Sequence, residues 1–141
     1  MSFGDAVRRV RPADGRPCPC GSGRSFGTCC RPVLDGAAAV TAEDLMRSRF
    51  TAFAVHDAAH LARTWHPRTR PDDLDLDPGT SWTGLDVILS RGGAGDETGV
   101  VEFRARWSSR GGGGELHERS RFARVRGRWV YVDGVIDPPS A

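Results

Sequence analysis

Three features of this 141-residue chain predict an α+β fold, with helices packed on one face of a curved antiparallel sheet. Helical periodicity is confined to residues 41–65, ahead of everything that reads as strand. From Trp82 onward, four segments rich in Val, Ile, Phe, Trp and Tyr are separated by Gly-rich or Arg-Gly turns. All four cysteines sit in "CPCGSGRSFGTCC", Cys18 to Cys30, which has almost no aliphatic side chain and stands apart as a small N-terminal module. Helices first and hairpins afterwards is the order of a sheet with its helices segregated to one face. A curved sheet crossed by helices makes a cone with an open mouth, and such mouths often hold ligands. The predicted organisation is a flexible arm at 1–16, the cysteine module at 17–31, a connector at 32–40 and the α+β domain at 41–137.

The module is read from its cysteines. Cys18 and Cys20 are one residue apart, and the adjacent Cys29 and Cys30 follow after eight more. Four thiolates suffice for a tetrahedral zinc ion with a closed coordination shell. Pro19 stiffens the first pair, while Gly21, Ser22 and Gly23 let the chain fold back and aim backbone N–H groups at sulfur. Arg16, Arg24 and Arg31 surround the cluster and would offset the −2 charge of a zinc tetrathiolate. A disulfide is a competing reading, although Cys29 and Cys30 cannot bridge each other without strain. An iron–sulfur cluster is another, although its cysteines usually sit on longer spacings. A redox pair would normally show Cys-x-x-Cys, which is absent. One structural zinc is the favoured reading. Loss of the metal, as in Cys29→Ser, is expected to loosen residues 17–31 and leave the α+β domain folded on its own core.

The helices follow. "TAED" is a capping box with Thr41 as N-cap. Behind it Ala42, Leu45, Met46, Phe50 and Phe53 lie on one face of an amphipathic helix reaching about His56. "DAAHLARTW" is a second, short helix ending at Trp65, before Pro67. "RPDDLDLDPG" is an acidic loop. The strands are "WTGLDVILSR", "TGVVEFRARW", "LHERSRFARV" and "RWVYVDGVI". In the second strand Val101, Phe103, Ala105 and Trp107 alternate with Glu102, Arg104 and Arg106. "SSRGGGGE" between the second and third strands reads as a loose hairpin loop.

Composition excludes several classes. Hydrophobic residues make up 38% and charged residues 27%, a globular balance, and a chain of this size buries roughly two-thirds of its unfolded surface. The formal net charge is +2, with 20 arginines and no lysine, too weak a bias to indicate nucleic acid or a membrane surface. No apolar run is long enough to span a bilayer. The first residues are basic but lack the apolar core of a secretory signal, so the cytoplasm, where thiols stay reduced, is the expected compartment.

The thirteen-residue cysteine stretch resembles the SEC-C motif, the small zinc module at the C-terminus of the SecA translocation motor, in its Cys variant and at all four ligand positions. "LMRSRFTAF", "TWHP", "LDLDP", "VEFRARW", "LHERSRF" and "WVYVDG" extend the likeness to the YchJ family, over about residues 17–134. The resemblance implies a SEC-C motif followed by a domain similar to nuclear transport factor 2. It also implies a protein partner for the zinc module, such as the chaperone SecB or the ribosome, and supplies no reaction.

Candidate residues of the cone are Arg49, Trp65, His66, Glu102, Phe103, His117, Glu118 and Arg119. Arg49 lies inside the apolar stripe of the first helix, so it must snorkel to the rim or pair with a sheet carboxylate, Glu118 first and Glu102 second. Trp65 and Phe103 are the expected aromatic lining, with His66, Glu102, His117 and Arg119 as its polar groups. Two readings compete. One is an interaction protein docking through its zinc module. The other is a small-molecule binder or an acid–base enzyme, isomerase- or dehydratase-like, in which His66 or His117 works with a carboxylate. Sheets of this kind often pair into homodimers, while the sequence leaves the oligomeric state open.

Overall fold

A computed structural model describes residues 11–139. The order is a 3₁₀ turn at Phe26–Thr28, helices α1 (Cys30–Leu34), α2 (Ala42–Val55) and α3 (Ala58–Arg63), then strands β1 (Ser81–Arg91), β2 (Thr98–Ser109), β3 (Gly112–Val125) and β4 (Arg128–Ile136). The strands form one open antiparallel sheet in the order β1-β2-β3-β4. Bulges at Trp82/Gly84, Val87/Leu89 and Arg121/Phe122 bend it. The predicted α+β class stands. Among the described residues, no helix is long and apolar enough to cross a membrane. Residues 1–10 of the expected arm lie outside the described residues; residues 11–16 are tied down, with Arg16 N donating to Ala13 O and Arg11 bonding Asp35.

Helix α2 organises the core. The Thr41 hydroxyl accepts from Asp44 N at 3.0 Å, as the capping box predicts, and His56 closes the other end in a left-handed conformation. The buried positions extend well past the apolar stripe to Ser48, Arg49 and Thr51. The reason is that α2 is covered on several sides: by the sheet, by α3 and by the cysteine module. Cys18, Cys20, Phe26, Cys30 and Leu34 belong to the same hydrophobic cluster as Leu45, Phe50, Phe103 and Phe122.

Helix α3 stops two residues earlier than expected. The backbone of Thr64 and His66 is taken by β4: Tyr131 N donates to Thr64 O and His66 N to Tyr131 O, leaving Trp65 in a parallel bridge with Tyr131. The "SSRGGGGE" segment is no loose loop either. Gly112, Gly113 and Gly114 are strand residues paired with Ser109, Ser108 and Trp107, so only Arg110 and Gly111 turn. A Cβ at Gly114 would stand 2.8 Å from the Trp107 ring, so the glycine lets the indole lie across the hairpin.

A buried polar relay joins α2, α3 and α1. His60 is 1% exposed. Arg63 Nη2 donates to His60 Nδ1, so His60 Nε2–H donates to Ser48 Oγ, which donates to Leu45 O. Arg63 Nη2 also reaches Leu34 O. Burial above all, and then the Arg63 charge, hold the imidazole pKa down to about 4 against an ordinary 6.5. In the unfolded chain this imidazole takes a proton below pH 6.5, while the folded one stays neutral until about pH 4. Stability is therefore expected to fall by on the order of 3 kcal/mol as the pH drops through that window. Urea midpoints measured across it should flatten in His60→Gln; an unchanged slope would assign the loss to other groups.

Candidate functional site

The cysteine cluster is assembled by short local turns. Cys18 N donates to Arg24 O and Gly21 N to Cys18 O, folding the glycine segment back across a Pro17–Ser25 bridge. Gly21 and Gly23 take positive φ of 74° and 87°, as that turn requires. The 3₁₀ turn then delivers Cys29, and Cys30 opens α1. One sulfur from each cysteine lies within 4.8 Å of all the others. A tetrahedron of zinc–sulfur bonds near 2.3 Å sets sulfurs about 3.8 Å apart, and Cys20 and Cys29 are at 3.6 Å. The donor set and its spacing therefore fit a zinc ion. Four free cysteines and no disulfide are present, with Cys18, Cys20 and Cys30 buried and Cys29 half-buried.

Sulfurs this close compete for protons. Hydrogen bonds from Cys18 and Cys30 hold the Cys20 thiol well below the usual range against the opposing effect of burial, and the Ser22 hydroxyl and amide add to this. Its neighbours answer in the other direction: the bond to Cys20 pushes Cys18 up to about 11, and the bonds to Cys18 and Cys20 drive Cys30 well above the ordinary value. A divalent ion replaces those protons and lets all four thiols ionise.

Two residues of α2 and the Ser22 hydroxyl within the stretch complete the cluster. Thr51 Oγ1, from α2, donates to Cys30 Sγ at 3.3 Å and lies 3.8 Å from Cys18 Sγ. Ser22 Oγ is 3.1 Å from Cys29 Sγ. Arg47, also from α2, donates to Cys20 O at 2.8 Å and is held by Glu43. The three arginines expected around the cluster have acidic partners or lie exposed. Arg31 is paired with Asp14 and Asp35, Arg24 faces Asp44 at 4.0 Å, and Arg16 is exposed. Thr51 and Arg47 sit one helical turn apart on α2, and nothing in the local sequence points them at the cysteines.

A cavity of about 190 Å³ lies between α2 and the concave face of the sheet. Four of the predicted cone residues line it: Arg49, Trp65, Phe103 and Glu118. Arg49 is buried as expected but bonds neither predicted carboxylate. Its Nη1 donates to Leu61 O at 2.9 Å and Thr64 Oγ1 at 2.7 Å, and its guanidinium lies 5.0 Å from the Trp65 ring centre and 4.7 Å from that of Tyr131. Aromatic faces take the place of a carboxylate partner. Burial pulls its pKa down to about 10, still charged at neutral pH. Glu118 Oε2 instead accepts from Ser120 Oγ at 2.5 Å and Tyr131 OH at 3.2 Å. Sequence reasoning missed Tyr131, which meets Trp65 edge-on at 5.1 Å.

The other four predicted polar residues are elsewhere. Glu102 precedes Phe103 on β2, so the two point to opposite faces of the sheet. Glu102 joins His117 and Arg119 on the outer face: His117 Nε2 is 2.8 Å from Glu102 Oε2, and Arg119 Nε donates to Glu102 Oε1 at 3.1 Å. These contacts, His117 first, hold the Glu102 carboxyl below its ordinary pKa. The end of the chain folds over the group, through Asp137 N to His117 O and Arg119 Nη2 to Pro139 O. His66 sits in the turn after α3, its Nδ1 accepting from Arg68 N. No histidine lines the cavity, so neither His66 nor His117 meets a carboxylate there as the acid–base reading expected.

The middle, nuclear-transport-factor-2-like domain of YchJ matches residues 41–134, well over half of the chain, and the SEC-C motif matches residues 17–32. The chain belongs to the YchJ family. A UPF0225 protein of Streptomyces coelicolor is 58% identical over 120 residues, covering 84% of this chain and 94% of that protein. A UPF0225 protein of Deinococcus radiodurans is 50% identical, covering 84% and 88%. The solution structure of a SEC-C motif containing protein from Rhodopseudomonas palustris superposes with a TM-score of 0.74 at 36% identity, covering 84% of this chain and 96% of that one. A crystal structure of a SEC-C motif containing protein from Psychrobacter arcticus gives 0.72 at 25% identity, covering 91% and 86%. This YchJ-family chain thus joins a SEC-C motif with a four-cysteine cluster to an α+β domain.

Proposed function

We propose that this YchJ-family protein is a zinc-stabilised interaction protein, with one structural zinc held by Cys18, Cys20, Cys29 and Cys30. The observation that carries the reading is the mutual approach of four sulfurs within 4.8 Å, three of the cysteines being buried. Four protein thiolates fill a tetrahedral shell and leave no position for substrate or water, so the ion holds structure and performs no turnover. Its ligands face α2, while Gly21, Gly23 and Arg24 remain exposed at the tip of the module. This rigid, exposed tip is the surface offered to a protein partner. Thiols kept as metal ligands favour a reducing compartment, the cytoplasm.

Elemental analysis of the purified chain is expected to return one zinc per molecule; an absence of zinc, or iron in its place, overturns the metal assignment. For docking, the zinc-loaded chain and its Arg24→Glu variant should differ in co-sedimentation with ribosomes or in binding to SecB, the partners expected of a SEC-C motif. Equal or absent binding of the two chains to both would remove the interaction role and leave the zinc assignment standing.

A further inference from the structure

The cavity under α2 contains a buried cation, Arg49, that is hydrogen-bonded to no carboxylate, although the Glu118 charge on the same lining acts on it through space. Arg49 is 5% exposed, and among the described residues its hydrogen-bond partners are a carbonyl and a hydroxyl. Both bonds leave from Nη1, so Nε and Nη2 remain for the cavity that the side chain lines. Trp65 lines the same cavity, and its indole N–H is buried without an acceptor, alone in this among the described side chains. A buried donor left unmade carries a free-energy penalty that a bound acceptor relieves. Glu118, the carboxylate of the lining, is already engaged with Ser120 and Tyr131.

These donors and walls select a ligand chemistry. A cation would meet Arg49. A neutral arene would leave both donors unsatisfied. A multiply charged anion would place its second charge against Glu118 or against aromatic carbon. A single carboxylate suits the fork of guanidinium and indole donors, because charge-assisted bonds to a guanidinium are strong and geometrically specific. The volume of about 190 Å³ exceeds the roughly 150 Å³ of an apolar cavity that admits benzene, leaving room for one ring and its carboxyl group. We propose that this cavity binds a small monocarboxylate with a planar apolar body, its carboxylate on Arg49 and the Trp65 indole N–H and its body against Phe50, Phe103 and Phe122.

Benzoate and its neutral isostere benzamide distinguish this from a mere packing void. The full zinc-loaded chain is titrated with each, followed by calorimetry and by the NMR resonance of the Trp65 indole N–H. Benzoate is expected to shift that resonance saturably and to bind at least about tenfold more tightly than benzamide. Trp65→Phe keeps a ring in place and removes only the N–H, so it should weaken benzoate about fivefold. Arg49→Met keeps volume and removes the charge, and should abolish the preference for benzoate. Equal affinity for the two probes, no binding of either at millimolar concentration, or an unchanged preference in both variants overturns the proposal.

Discussion

Cys20→Ser is expected to release the metal and destabilise the chain by about 5 kcal/mol, a large part of the 5–15 kcal/mol that holds a domain of this size together. The magnitude follows from where the cluster sits. Cys20 is fully buried, and its backbone carbonyl receives Arg47 from α2. Cys18 and Cys30 share Thr51 of the same helix, and Gly21 rests against the β1 carbonyl of Leu85. A module loosened by Cys29→Ser alone, with the α+β domain undisturbed, is what a self-contained core would give. The cluster instead shares its core with α2, so the loss should reach the helix. Hydrogen exchange at the Arg47 and Thr51 amides, read beside urea unfolding, tests this. Protection retained at both, with exchange confined to residues 17–34, would show the module to be energetically separate. Cys29, the half-buried ligand, should give the milder variant of the two.

Arg49→Ala is expected to cost about 3–4 kcal/mol, and Arg49→Met about 1 kcal/mol or less. Had Arg49 been bonded to Glu118, either change would strand a buried carboxylate, and the two variants would suffer alike. The structure removes that term, because Glu118 is satisfied by Ser120 and Tyr131. What alanine loses is volume between the Trp65 and Tyr131 rings, where both faces contact the guanidinium. Methionine restores that volume and relieves the desolvation that depresses the arginine's pKa. Chemical denaturation of the two variants side by side is the measurement. Equal losses for both would mean that the two bonds from Nη1, and not packing, hold this corner. The charge of Arg49, as distinct from the volume of its side chain, is thus expected to add little to stability.

Much of this molecule was legible in one dimension. The thirteen residues from Cys18 to Cys30 determine the four-cysteine cluster, because their turns are local and all four sulfurs come from one short segment. The Thr41 cap, the α2 stripe and the alternation of Val101, Phe103 and Ala105 determine their elements in the same way, since helix and strand periods are properties of neighbouring residues. Only tertiary structure decided the partners. Arg47 and Thr51 serve the cysteines because the module packs on α2. Trp65 and Tyr131 flank Arg49 because β4 pairs with the chain after α3. Strand alternation alone separated Glu102 from Phe103, yet which face met the helix depended on packing, and it placed Glu102, His117 and Arg119 on the outside. The Gly112–Gly114 run is strand because it pairs with Ser109, Ser108 and Trp107, and at Gly114 the missing Cβ leaves room for the Trp107 ring. Spacing along a chain fixes which way a side chain points relative to its neighbours; what it meets there is set by elements tens of residues away, whose approach no local pattern encodes.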